Sequence, residues 1–318
     1  MFSSFHHKKG TPRAYTPSLA HPSHPVGGTR LSPPSYNRKR IRPLIVLLLM
    51  LMVAACAQGV KYHEREIGGG LNFFTWNDER QLGQQVLADV SRQMKVENDP
   101  VVLDVLYRIG HRLNKAAVAA GFRPVPWEYY YINTEDVNAF AAPGGYLFFL
   151  RGLLFRLEHE DELAAIMGHE MGHVYGRHST KRLSQLLLAA GVILATGEAL
   201  KSKNKTLGNF FEAFGGIGLF FYSLNFSRNQ ERESDFIGFH LMRDAGYNPD
   251  GMARAFERLL EVEKKAGGGG PAFLSTHPGT RERIQTARKR LKSLGIKPSV
   301  TPDSPDFRQM LQHLRRKS

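Results

Sequence analysis

At 318 residues, 42% hydrophobic and 23% charged, the chain is ordinary globular material, long enough for one large domain or two small ones. Its net charge of +14 invites a nucleic-acid reading, but residues 1–55 hold eight Lys/Arg and no acid; taking those eight from +14 leaves +6. No basic patch interleaved with aromatics follows, so no nucleic-acid partner is expected. A single cysteine, Cys56, excludes an intrachain disulfide.

Residues 1–37 are rich in Pro, Ser and His and have no apolar period. They read as disordered, or as the product of a start codon assigned too far upstream. Next come a basic stretch (Arg38, Lys39, Arg40, Arg42), an apolar run from Leu44 to Val53, and the small pair Ala54-Ala55. The run is short for a spanning helix of about 20 residues. Val53-Ala54-Ala55-Cys56 resembles the lipobox of a bacterial lipoprotein. That resemblance implies a signal peptide over 38–55, cleavage before Cys56 and lipidation of its thiol and new amine. The alternative is an uncleaved membrane anchor. Either way the remainder is held beside a membrane outside the cytoplasm. Ala57, in place of Asp, points to the outer membrane where enteric sorting rules apply. Residues 56–75 form a polar, Gly-containing tether.

A helix is expected from about Asn77 to Met94, with Leu82, Val86, Val90 and Met94 four apart, and another from Asp99 to Ala120, with Pro100 in its first turn. Trp127–Ile132 and Tyr146–Leu150 have strand composition. The residues between, Asn138-Ala139-Phe140-Ala141 and on to Gly145, are either a plain hairpin or an edge strand open to an extended ligand.

Glu162–His178 then reads ELAAIMGHEMGHVYGRH. His169 and His173 share one helix face at i and i+4, so two imidazoles can grip one metal ion. Glu170 lies beside the first of them, where its carboxylate can reach a water on that metal and act as general base. Gly168, Gly172 and Gly176 form a strip of bare backbone, each costing about 1 kcal/mol against Ala, so a second segment is expected to pack close.

Leu186–Thr196 and Ala213–Tyr222 are apolar, with lysines between them. They read as a helical hairpin, buried or touching lipid. Ser227 and Gln230 form a capping box that starts a helix, ended by Gly246 and Pro249. Glu231 and Asp235 share a face of it. By themselves they suit either solvated acids or a metal ligand with a carboxylate behind it. A further helix runs to about Lys265. After the flexible Gly267–Gly270 loop, His277-Pro278 opens a last helix to about Leu294. Residues 296–318 read as a basic, peripheral tail.

Together these pieces resemble the zinc metallopeptidase family of the CAAX prenyl protease, HtpX, Oma and the periplasmic BepA and LoiP enzymes. The resemblance covers roughly 75–295. It rests on Asn138-Ala-Phe-Ala with Pro143-Gly144-Gly145, on Gly168-His169-Glu170-Met171-Gly172-His173, on Ser227-Arg228-x-x-Glu231-x-x-x-Asp235, and on His277-Pro278 with Arg283. It implies an α+β, mostly helical zincin-like (gluzincin) domain over 76–295 with a small β-sheet, holding one zinc per chain. His169, His173 and Glu231 would be the ligands, Glu170 the base, and Asp235 the carboxylate that orients a ligating histidine. His277 would be a fourth ligand or latency switch, Arg283 a transition-state stabiliser or the partner of an acid, and Asn138–Ala141 the edge strand. The tetratricopeptide repeats of the periplasmic chaperone-protease are not expected in the short stretch after Gly295.

The expected function is a zinc endopeptidase of misfolded or unassembled envelope proteins, lipid-anchored and periplasm-facing. The alternative is a zinc-stabilised holdase with little proteolysis.

Overall fold

The computed structural model describes residues 59–63, 65–190, 207–265 and 270–316. The expected signal peptide, Cys56, the middle of the 186–222 hairpin and most of the Gly267–Gly270 loop lie outside the described residues.

The described chain begins with an antiparallel hairpin, β1 (Val60–Tyr62) and β2 (Arg65–Ile67). The stretch expected as a tether is therefore folded from here on. Tyr62 and Ile67 are buried in the main core, and Tyr62 donates to Asp244 (3.2 Å), an attachment 182 residues away. Helix α1 (Trp76–Gln93) opens with a Thr75–Asp78 capping box, and α2 (Pro100–Ala119) follows the short strand β3 (Val96–Glu97) with Asp99 as its cap.

Strands β4 (Glu128–Ile132), β5 (Ala139–Ala142) and β6 (Tyr146–Leu150) complete a four-stranded sheet of order β3-β4-β6-β5. Strands β4 and β6 run parallel, whereas β5 returns antiparallel to β6 and forms the edge. All five residues of β6 are buried because both faces of the sheet are covered. Tyr146, Phe148 and Leu150 meet α1 through Leu82, Val86 and Val90, while Leu147 and Phe149 join the core that contains the HExxH helix.

The one-turn helix α3 (Arg151–Leu154) leads into α4 (Glu160–Tyr175), every residue of which is buried. Three acids in its first turn favour the helix N-terminus, and each has a basic partner. Arg108 donates to Glu160 (2.6 and 3.0 Å), Arg254 to Asp161 (3.3 Å) and Arg258 to Glu162 (2.9 Å). Arg177, in the left-handed conformation at φ 55°, turns the chain from α4 into α5 (His178–Ala189). Its side chain holds that corner by donating to Glu79 (2.7 Å) and Phe74 C=O and by lying over the Trp76 ring.

Of the apolar hairpin, 186–189 are the last residues of α5, and only α6 (Ile217–Tyr222) within 213–222 is regular helix, after two positive-φ glycines, Gly215 and Gly216. Helix α7 (Arg228–Asp244) starts at the Ser227–Gln230 capping box and α8 (Asp250–Lys265) follows. A short helix not foreseen in the sequence, α9 (Ala272–Thr276), carries the chain to His277. Helix α10 (Thr280–Ser293) begins after Gly279, whose φ of 88° ends the run from Pro278, so Pro278 precedes the helix rather than opening it.

The C-terminal segment departs most from expectation. Helix α11 (Pro305–Arg316) buries Phe307, Met310, Leu311 and Leu314, so 305–316 packs into the core and is not a peripheral tail. Asp306 accepts from Arg108 (2.7 Å), and Thr301 N–H donates to Asp161 (2.8 Å), so this segment also caps α4.

Helices α4 and α7 cross in close contact. A Cβ at Gly172 would lie 2.8 Å from the Ser234 Cα and carbonyl oxygen, and one at Gly238 would lie 2.8 Å from His169 N. Neither neighbour is a side chain able to swing aside. Gly172→Ala should therefore destabilise the protein by about 1–3 kcal/mol through overpacking, despite the ~1 kcal/mol that Ala gains in helix propensity. Denaturant unfolding checks the sign, and a stabilised variant would contradict the close crossing.

Candidate metal centre

Helix α4 supplies His169, Glu170 and His173; α7 supplies Glu231 and Asp235; the α9–α10 corner supplies His277, and α10 supplies Arg283. Ligand atoms of His169, His173, Glu231 and His277 all lie within 4.8 Å of one another, and all four side chains are buried. His169 Nε2 is 3.0 Å from His173 Nε2 and 3.5 Å from Glu231 Oε2, and His173 Nε2 is 3.3 Å from Glu231 Oε1. Ligands about 2.0–2.1 Å from a tetrahedral zinc are separated by roughly 3.3 Å. The three protein spacings bracket that value.

Protonation strengthens the fit. Asp235 Oδ1, which only accepts, lies 2.9 Å from His169 Nδ1, so the imidazole donates there and keeps a lone pair on Nε2. His277 Nδ1 likewise donates to Phe273 C=O (3.1 Å), leaving Nε2 unprotonated. Burial, with Arg283 second, holds His169 well below the ordinary imidazole range, and burial, with His178 second, does so for His173. With His169 Nε2 unprotonated, His173 Nε2 at 3.0 Å either donates to it or offers a second lone pair to a shared cation. Glu231 Oε1 and His277 Nε2, both buried, have no hydrogen-bond partner among the described residues. Such orphaned groups carry a desolvation penalty that a metal ion removes.

Glu170 is 1% exposed, its Oε1 3.5 Å from His277 Nε2. Burial first, and the neighbouring Glu231 charge second, push its carboxyl well above the usual range. Glu231 is raised by burial too, with Arg283 opposing. Arg283 is spent on acids. It donates to Asp235 through Nε (2.7 Å) and Nη2 (2.7 Å), meets Glu231 Oε2 at 2.8 Å and reaches His277 C=O at 3.3 Å. Its guanidinium also lies 4.1 Å from the centre of the Phe256 ring. Of the two roles expected for Arg283, the geometry displays the pairing with acids.

Phe226 stacks on His173 (3.9 Å) and Phe273 on His277 (4.3 Å). The edge strand β5 runs beside the site, and Phe273 N–H donates to Val137 C=O (3.2 Å) at its start. Asn138 is fully buried there. Two further groups went unrecognised in the sequence, His178 and Glu233. His178 Nδ1 lies 3.0 Å from His173 Nδ1, and Glu233 Oε2 faces His178 Nε2 at 3.3 Å. The signal that could have found them is a third histidine five residues after His173, in a short polar stretch, and an acid between Glu231 and Asp235.

Two histidines one helical turn apart, a carboxylate from a crossing helix and a second glutamate alongside define a zinc metallopeptidase of the zincin type. Comparison with known proteins agrees. Residues 105–291 match peptidase family M48, and the chain belongs to that family. It is 27% identical over 265 residues to the mitochondrial metalloendopeptidase OMA1 of Schizosaccharomyces pombe, covering 78% of this chain and 76% of that one. It is 28% identical over 233 residues to the beta-barrel assembly-enhancing protease of Escherichia coli (72% and 46%), and 32% identical over 176 residues to the E. coli metalloprotease LoiP (55% and 66%). The chain thus spans about half the length of the E. coli assembly protease.

Proposed function

We propose that this chain is a lipid-anchored zinc endopeptidase that cleaves misfolded or unassembled proteins of the bacterial cell envelope. The observation that carries the reading is the convergence of two imidazole nitrogens and Glu231 beside Glu170. In this reading His169, His173 and Glu231 hold the zinc. When bound there, zinc supplies Lewis acidity toward the scissile carbonyl and the attacking water. Glu170 takes that water's proton and hands it to the leaving amine. Asp235 fixes the ring of His169, and Arg283 balances the two acids of α7. Backbone groups of Asn138, Ala139, Phe140 and Ala141 at the edge strand align an extended substrate.

The relative named for β-barrel assembly supports an envelope role, and the lipobox at Val53–Cys56 supports anchoring through Cys56 after removal of 38–55. Ala57 favours the outer membrane. No helix among the described residues is long and apolar enough to cross a membrane. Residues 1–37 take no part in this reading, and the metallopeptidase domain, taken to Gly295 on sequence grounds, extends through α11. The holdase alternative is not favoured, because the relatives carry protease names.

His277 has its Nε2 turned to the metal position, within a buried site, and acts as the fourth ligand of a latent form. Catalysis needs that position open. His277→Ala should raise kcat/KM on unfolded casein by about tenfold or more, because apparent activity scales with the open fraction of molecules, while zinc stays bound. Unchanged or lost activity with zinc retained would count against the latch. Absence of casein cleavage by both forms, with zinc bound, would count against the peptidase reading.

A further inference from the structure

The two ligand histidines are supported by different devices. His169 donates to a carboxylate, Asp235, whose charge Arg283 offsets. Behind His173, among the described residues, Nδ1 meets no acid but the imidazole of His178, fully buried, with Nδ1 facing Nδ1 at 3.0 Å. One of those nitrogens must donate and the other accept, and the choice is made one step further out. Glu233 Oε2, which can only accept, faces His178 Nε2 at 3.3 Å. The contact lacks hydrogen-bond geometry, yet a carboxylate at that distance favours the Nε2–H tautomer of a neutral His178 and leaves its Nδ1 as an acceptor, toward which Ser234 Oγ turns at 3.2 Å. His173 must then carry its proton on Nδ1, which frees Nε2 for the metal.

We propose that His178 and Glu233 form a positioning relay behind His173, Glu233 setting the tautomer of His178 and His178 that of the metal-facing ring. The inference rests on the metal-centre reading above. Three features of the fold are devoted to this relay. The left-handed corner at Arg177 turns the chain so that His178 folds back under His173. Gly176 leaves room for it, since a Cβ there would collide with the His178 ring. The outer end is fastened from the N-terminal side, where Gly68 N–H donates to Glu233 Oε1 (2.9 Å) directly after the β1–β2 hairpin. The segment leading from Cys56 is thereby joined to the metal centre through three side chains.

The test is zinc affinity of the purified full-length protein, measured by chelator competition, with the visible spectrum of the cobalt-substituted form as a report on ligand geometry. His178→Leu keeps bulk but offers no acceptor. It should weaken zinc binding about 10- to 100-fold, the usual loss when the support of a metal-bound histidine is removed, and alter the cobalt spectrum. His178→Asn, whose Oδ1 can accept where Nδ1 did, should stay within about threefold of the wild type and keep its spectrum. Folded His178→Leu with wild-type affinity and spectrum would overturn the relay. Should His178→Leu not fold, Glu233→Ala, at a partly exposed side chain, decides. Weakening by about threefold or more supports the relay, and unchanged affinity overturns it. A wild-type chain that binds no zinc would instead sink the metal-centre reading itself, and the relay with it.

Discussion

Glu170→Gln should lower kcat for peptide cleavage by about 10²–10⁴-fold, the range that a positioned general acid–base group supplies, while zinc content stays at the wild-type level. The side chain is isosteric and is not among the converging ligand atoms, so the candidate set of His169, His173, Glu231 and His277 is untouched. What is lost is the ability to accept a proton. Burial first, and the charge of Glu231 second, push the Glu170 carboxyl above the usual range. A base with a raised pKa returns its proton to the leaving amine more readily than an ordinary carboxylate does. The measurement is best made in the His277→Ala background, so that the proposed latch does not mask the loss. Casein cleavage near that of the parent would refute the assignment of Glu170, and loss of zinc along with activity would show that it supports the metal instead.

Arg283→Met should cost about 3–5 kcal/mol of stability, the penalty for breaking a buried ion pair from one side. The residue is 4% exposed, and its donors serve Asp235, Glu231 and a main-chain carbonyl. Burial alone would lower the pKa of the guanidinium, yet Asp235 first and Glu231 second hold it above its ordinary value. Removing it strands two carboxylates in the core, one of which orients His169. Denaturant unfolding of the zinc-free variant reads the effect directly. Arg283→Lys should recover only part of it, because one ammonium cannot reproduce a planar fork that meets Asp235 twice. A Met variant within about 1 kcal/mol of the parent would mean that the acids find other partners, against the penalty expected for stranded charges.

How far the sequence could be read follows from the range of the interactions. The HExxH face, the Ser227 capping box and the Gly168–Gly172 strip are local patterns of three or four residues, and such spacings translate directly into helix geometry. Order and spacing of separate motifs then brought Glu231, Asp235, His277 and Arg283 to attention through the family resemblance. Helix α11 was hidden by its charge. Phe307, Met310, Leu311 and Leu314 have the i, i+3, i+4, i+7 spacing of a buried stripe, but they are interleaved with basic residues that suggested a tail. The β1–β2 hairpin offers only Tyr62 and Ile67 to the core, and its anchor, Asp244, is remote in sequence. Pro278 misled because the positive φ of Gly279, which delays α10, has no side-chain signal of its own. Contacts between His178 and Glu233 arise only when α4, α5 and α7 meet, so no single window of sequence contains them.

Metal analysis of the purified protein, wild type beside Glu231→Gln, tests the central claim most directly. The substitution keeps the shape of the side chain and leaves Arg283 in place, but removes the negative charge that α7 brings to the proposed metal site. One zinc per wild-type chain, with little or none retained by Glu231→Gln after dialysis, is the predicted result. A wild-type protein free of transition metal, or a Glu231→Gln variant that holds zinc as tightly as the parent, would contradict it.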